Sequence, residues 1–228
     1  MSNRFKLILF VRSLGYSLFF LGVVAFIAVL GPLARAEFNY RSDKLLGVRR
    51  SVPTVITSST QNGDGEPTAS FGDLAVTGDV IVPKDTNFGI VIEKINANAK
   101  VVADVDPSNE AEYIQALALG VAHAKGTNYP GEPGNIYLFS HSTDAPWNII
   151  RYNAIFYLLR ELEAGDRIVM FYKNRRYDYY VFDKIITDQN DISFLTNRYD
   201  RSVLTLQTCD PPGTLLNRLI VRAKLSGT

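Results

Sequence analysis

One cysteine, Cys209, and two histidines, His123 and His141, are all that 228 residues contain of those two types. A lone thiol cannot close a disulfide within the chain. It also leaves no set of Cys and His ligands at the short spacings that structural zinc needs. Charge of one sign is missing too: 24 Lys and Arg stand against 23 Asp and Glu, a formal net charge of +1 with no acidic or basic block. That balance removes the electrostatic ground for nucleic-acid binding. No internal repeat is visible. What remains for the thiol is an intermolecular pairing, a buried structural place, or a reactive role.

Long apolar sequence is present once. Leu14 to Leu33 reads LGYSLFFLGVVAFIAVLGPL without a charge, enough to cross a bilayer core. Arg4, Lys6 and Arg12 precede it, so the positive-inside rule places the N-terminus in the cytoplasm and the rest outside. Ala34-Arg35-Ala36 has the small-x-small form of a signal cleavage site, but the run exceeds the roughly 7–15 apolar residues of a signal peptide. An uncleaved single-pass membrane anchor is therefore expected over 14–34, after a cytoplasmic segment 1–13. Residues 35–71 read as a charged juxtamembrane stretch followed by a flexible stalk (SSTQNGDGEPTAS). Residues 72–228 are left as one folded domain.

That domain is rich in strand signals. Strands are expected at 88–92 and 99–103 around an Asn-rich turn, at 135–140, 203–208 and 218–225, and as a hairpin of 167–172 with 177–186. Ser108-Asn109-Glu110 followed by AEYIQALALG carries an N-cap, helical spacing and a terminal glycine. A second short helix is expected over 153–162. Many short strands, two short helices and no βαβ alternation point to a small closed or sandwich-like β architecture.

The chemistry collects at strand ends. Leu204-Thr205-Leu206-Gln207-Thr208-Cys209 is an apolar, β-branched run, and Asp210-Pro211-Pro212-Gly213 turns the chain directly after the thiol. Arg218 opens the next strand-like run nine positions later, and His141 ends the strand 135–140. Side chains at one rim of a small barrel can converge from distant positions, giving a thiol, a base and a fixed cation. The thiolate is the nucleophile of such a set, and a nearby imidazole or cation raises its usable fraction. Guanidinium stays protonated, so Arg218 can hold a carbonyl or an oxyanion but cannot act as a base. Arg222, four residues on and on the same strand face, is the weaker candidate for the cation. His123 is read as a structural hydrogen-bonding group in a half-buried loop. Asp104, Asp106 and Glu110 are read as a solvated loop face in preference to ion ligands, and the tyrosines around 177–180 as half-buried sheet residues.

TLQTC, the Pro/Gly loop and RLIVRAKL together resemble the segment around the active-site cysteine and arginine of sortases, the membrane-anchored cysteine transpeptidases of bacterial surfaces. GVAHAKGTNYPGEPGNIYLFSHS resembles their catalytic-histidine segment, and FGIVIEKINANAKVVADVDPS their first strands. The resemblance runs from about Phe88 to Leu225 in the family's order, and the anchor and stalk suit it.

It implies an eight-stranded β-barrel with short helices. It also implies His141 as acid/base, Cys209 as nucleophile, Arg218 as substrate-positioning and oxyanion-stabilising cation, and Thr208 as a residue shaping the substrate site. The implied reaction cleaves a C-terminal LPXTG-like sorting signal through a thioacyl-enzyme. The acyl group then passes to an amine on a cell-wall precursor or partner protein, anchoring surface proteins to the wall; the alternatives are a cysteine endopeptidase with water as acceptor and a catalytically inactive membrane-tethered binding module. No cofactor or resident metal is implied, with calcium left open. One departure stands out: where many sortases have Gly-His-Arg, this chain has Ser140-His141-Ser142-Thr143-Asp144. Asp144 is read as capping the turn before Trp147 rather than orienting the imidazole. The 187–201 loop is implied to form a wall of the substrate groove.

Overall fold

The computed structural model describes residues 3–48, 50–52, 80–142 and 155–227. Eight strands close into one barrel: β1 Phe88–Ile92, β2 Ala97–Val105, β3 Val121–Ala124, β4 Gly134–Phe139, β5 Arg167–Tyr172, β6 Arg175–Asp188, β7 Ser202–Asp210 and β8 Asn217–Leu225. Around the barrel they run β1-β2-β3-β4-β7-β8-β6-β5, and β5 pairs back onto β1. Helix α1 is Asn3–Leu46, α2 is Glu110–Leu119 and α3 is Ser193–Thr196.

Two pairings are parallel, β2 with β3 and β4 with β7. A parallel pair needs a crossover, and α2 supplies the first, so one βαβ unit exists where the sequence pattern suggested none. The expected N-cap is Asn109, whose side chain accepts from the Glu112 amide. The hairpin turn is tighter than expected. Lys173 and Asn174 take φ of 50° and 59°, a two-residue loop matched to strand twist, and β6 resumes at once with Arg175. The helix expected over 153–162 is not formed in its described part, where Leu159–Glu161 makes a single 3-10 turn. Phe156, Leu159 and Leu162 are instead fully buried in the barrel's main hydrophobic cluster. Their apolar spacing reflects plugging of the core, not a helical face.

Strand alternation sets what faces inward. Ile136 and Leu138 of β4, Leu204 and Leu206 of β7, and Leu219, Val221 and Ala223 of β8 belong to the interior cluster. The alternate residues of these strands, among them Tyr137, Phe139, Gln207, Cys209, Arg218 and Ile220, therefore lie on the barrel's outer face.

Helix α1 runs on past the expected anchor. Within it, Lys6–Ala28 is long and apolar enough to cross a membrane, overlapping the expected 14–34. The charged segment after it stays helical to Leu46 and touches the barrel, where the Tyr40 hydroxyl donates to Glu161 (3.2 Å). Val52 and Ile81 pack with Val91, Val169 and Phe171 against the outside of β1 and β5. Most of the sequence read as a stalk, 53–71, lies outside the described residues, as do Asp144 and Trp147.

Candidate active site

Cys209 and Arg218 are direct cross-strand partners in the antiparallel β7–β8 pair, so both side chains leave the outer face at one position. Cys209 is half-buried. The Arg218 guanidinium donates to the carbonyls of Leu215 (3.5 Å) and Asn217 (3.2 Å). Among the described residues it makes no ion pair with a carboxylate.

His141 arrives from β4. That strand runs parallel to β7, with Phe139 beside Gln207. The ladder continues one step further, because the Ser140 amide donates to the Gln207 carbonyl (3.2 Å). The same register carried onward sets His141 alongside Cys209, on the same outer face. Thr208 is 3% exposed, and its hydroxyl donates to the Ser140 carbonyl (2.9 Å). It ties the strand end that delivers His141 to the strand end that delivers Cys209.

Part of the outer face is covered. Asn135 Nδ2 donates to the carbonyls of Phe194 (2.9 Å) and Leu195 (3.3 Å), and its Oδ1 accepts from the Thr205 hydroxyl (2.8 Å). The β6–β7 connection containing α3 is thereby held over β4 and β7. Arg222 is on the same face as Arg218 but is fully engaged there. It donates to Asp183 through Nε (2.9 Å) and to the Tyr199 hydroxyl (3.2 Å), and it lies over the rings of Phe182 and Phe194. Its geometry is that of a clamp on the loop.

Three aromatic and polar neighbours of the site were not legible in the sequence. Tyr113 of α2 lies edge-on to Phe139, with ring centres 6.5 Å apart. Burial raises its pKa, Glu110 adds to the rise, and Arg218 opposes it. Tyr137 is buried, and its hydroxyl donates to Gln207 Oε1. Burial pushes its pKa up strongly against the opposing field of Arg218. Gln207 itself is half-buried, two residues before Cys209.

The other singled-out residues serve the scaffold. His123 is fully buried opposite Leu138. Its Nδ1 accepts from the Asp104 amide (3.3 Å), and its Nε2 donates to the Asn128 carbonyl (3.1 Å). That is a neutral ring, and burial lowers its pKa despite the opposing Asn128 carbonyl and Asp104. A histidine depressed in the folded state binds fewer protons there than in the unfolded chain, so stability falls as pH drops through the unfolded value of about 6.5. We expect a urea midpoint that declines below that pH, with a shallower decline in His123→Gln; equal slopes in both proteins would contradict this assignment. Asp104 accepts from the Tyr129 hydroxyl (2.7 Å), and Asp106 accepts from Ser108 (2.6 Å), which lowers its pKa. Among the described residues no group of three or more His, Cys, Asp or Glu could hold a metal ion. Tyr179 is buried against Ser202, and Tyr172 stacks on Tyr129 with ring centres 4.9 Å apart; these are sheet residues.

Comparison with known proteins agrees on one family. The family model of the sortase domain matches residues 90–226, well over half of the chain. Sortase D of Bacillus subtilis is 30% identical over 120 residues, which are 53% of this chain and 52% of that protein. The chain thus matches about half the length of that relative. Among solved structures, a sortase D5 transpeptidase of Clostridium perfringens superposes with a TM-score of 0.50 at 26% identity, over 64% of this chain and 82% of that one. Sortase C-1 of Actinomyces oris gives 0.53 at 25% identity, over 64% and 76%.

Proposed function

The chain belongs to the sortase family, and from that membership we propose that it is a membrane-anchored cysteine transpeptidase acting outside the cytoplasmic membrane. The observation that carries the reading is the single rim position shared by three strand ends: Cys209 faces Arg218 directly, and β4 delivers His141 alongside. The Cys209 thiolate attacks a peptide carbonyl in a C-terminal sorting signal of LPXTG type. Arg218 stabilises the oxyanion or holds a neighbouring carbonyl. His141, as imidazolium, protonates the departing amine, leaving a thioester on Cys209. An amine on a cell-wall precursor or partner protein then attacks that thioester, losing its proton to His141. Such a scheme is two-step covalent catalysis, and its product is a surface protein anchored to the wall. Thr208 acts here by fixing the relative positions of the two strand ends.

The same reading places the N-terminus in the cytoplasm, with residues 14–34 of α1, which overlap the apolar stretch Lys6–Ala28, as the membrane span. Residues 72–228 then hold the catalytic domain. Because α1 remains helical to Leu46, Tyr40 stands about 9 Å beyond residue 34 at 1.5 Å per residue, so the barrel is docked on the helix close to the membrane surface.

Transfer and hydrolysis are separated by the product. With a sorting-signal peptide and a triglycine acceptor, we expect an amine-linked product that rises with acceptor concentration as the hydrolysed acid falls. Acid alone, independent of the amine, would make the protein an endopeptidase.

A further inference from the structure

We propose that Gln207 is a substrate-positioning residue whose side-chain NH2, aimed by Tyr137, donates to a main-chain carbonyl of the sorting peptide two residues before the scissile bond. The inference rests on the transpeptidase reading above and adds to it a specific contact on the acyl half of the substrate.

An amide side chain has one accepting and one donating end. Tyr137 is 4% exposed and its hydroxyl donates to Gln207 Oε1. Burial keeps that phenol protonated, with its pKa raised, so it remains a donor across the working range of pH. The accepting end of Gln207 is therefore taken, and the donating end is turned the other way. Among the described residues no hydrogen bond is made by Nε2.

Position along the strand assigns the partner. Thr205, Gln207 and Cys209 share the outer face of β7, but Thr205 is fully covered whereas Gln207 and Cys209 are half-buried. Gln207 is thus where β7 emerges from beneath the β6–β7 connection. The step from Gln207 to Cys209 is two strand residues, about 6.6 Å. Carbonyls on one side of an extended peptide repeat at that same spacing. With the scissile carbonyl at Cys209 and Arg218, a same-side carbonyl two residues away falls over Gln207.

Direction follows from what is closed and what is open. Toward Thr205 the outer face of β7 is closed by the loop held by Asn135 and Arg222. Past Asp210 the chain turns away, and Leu215 and Leu216 are exposed. The acyl half must stay bound through both chemical steps, whereas the leaving amine must depart and the acceptor must enter. The closed side, and with it Gln207, therefore belongs to the acyl half.

The test is steady-state transpeptidation by the full chain with a sorting-signal peptide, and with the same peptide carrying a thioamide at the carbonyl two residues before the scissile bond. Thioamide sulfur is a poor acceptor, so it removes the same contact from the substrate side. Gln207→Leu is expected to raise KM for the peptide about 3- to 10-fold, the size of one neutral hydrogen bond, with kcat and the acceptor KM changed less than about twofold. Tyr137→Phe, which leaves the amide unaimed, is expected to give a smaller rise in the same constant. The thioamide should penalise the wild type by a similar factor and Gln207→Leu not at all. An unchanged peptide KM in Gln207→Leu, or an equal thioamide penalty in both proteins, overturns the proposal. A wild type that forms no adduct on Cys209 overturns the transpeptidase reading and this contact with it. Loss of kcat in Gln207→Leu at unchanged KM would place the residue in the chemistry rather than in acyl binding, and would overturn it as well.

Discussion

Alanine at Cys209 is expected to lower cleavage of a sorting-signal peptide by at least about 10³-fold, because covalent catalysis has no second nucleophile to fall back on. Cys209 is the chain's one thiol. The loss should leave the fold intact. The side chain is half-buried on the outer face and outside the interior cluster, so deleting its sulfur opens no core cavity and should shift stability by no more than about 0.5 kcal/mol. Peptide binding should also persist, since Arg218 and Gln207 on the outer face of β7 and β8 are untouched. A Cys209→Ala protein with unchanged melting, retained peptide binding and no turnover is the expected pattern. Residual cleavage near the wild-type rate would remove Cys209 from the chemistry.

Arg218 gives the second large effect. Its guanidinium bonds only to main-chain carbonyls within its own turn among the described residues. No carboxylate there neutralises it, and in the proposed mechanism its charge meets a carbonyl oxygen on which negative charge develops. Removing one such donor costs about 10²–10³-fold in kcat, and that range is expected for Arg218→Ala. Arg218→Lys should recover only part of the loss, because a point charge lacks the planar fork. Arg222→Ala provides the contrast. That arginine is bound to Asp183 and Tyr199 and lies over two rings, so its loss should loosen the β6–β7 connection and weaken peptide binding more than the chemical step. Equal kcat losses at the two positions would contradict the separate roles assigned to them.

The pairing of Cys209 with Arg218 was legible because its signal is local. TLQTC, a turn and RLIVRAKL lie within one hairpin, and the hairpin alone puts Cys209 opposite Arg218. Strand positions were legible for the same reason. Helix α2 was marked by its cap and its glycine, although Val121–Ala124 after it is too short a strand to show period two. Residues Phe156, Leu159 and Leu162 misled because apolar spacing on a core plug resembles a helical face. The extension of α1 to Leu46 was hidden because charge in that stretch suggested a break, while a Tyr40–Glu161 hydrogen bond 121 positions apart in the chain helps hold it to the barrel. Non-local pairing hid the rest. The parallel β4–β7 ladder joins segments 68 to 70 residues apart through Thr208–Ser140 and Tyr137–Gln207, and no spacing rule announces a parallel neighbour. Thr208 is adjacent to Cys209 in sequence, yet only the ladder shows that its hydroxyl serves the strand end of His141.

The measurement closest to the central claim is intact-protein mass spectrometry of the full chain mixed with a sorting-signal peptide and quenched in acid before any amine is added. A mass gain equal to the acyl fragment, mapped to Cys209 and discharged by triglycine or hydroxylamine, is the predicted result. Cleaved peptide with no such mass on Cys209, or an adduct that persists in the Cys209→Ala protein, would contradict it.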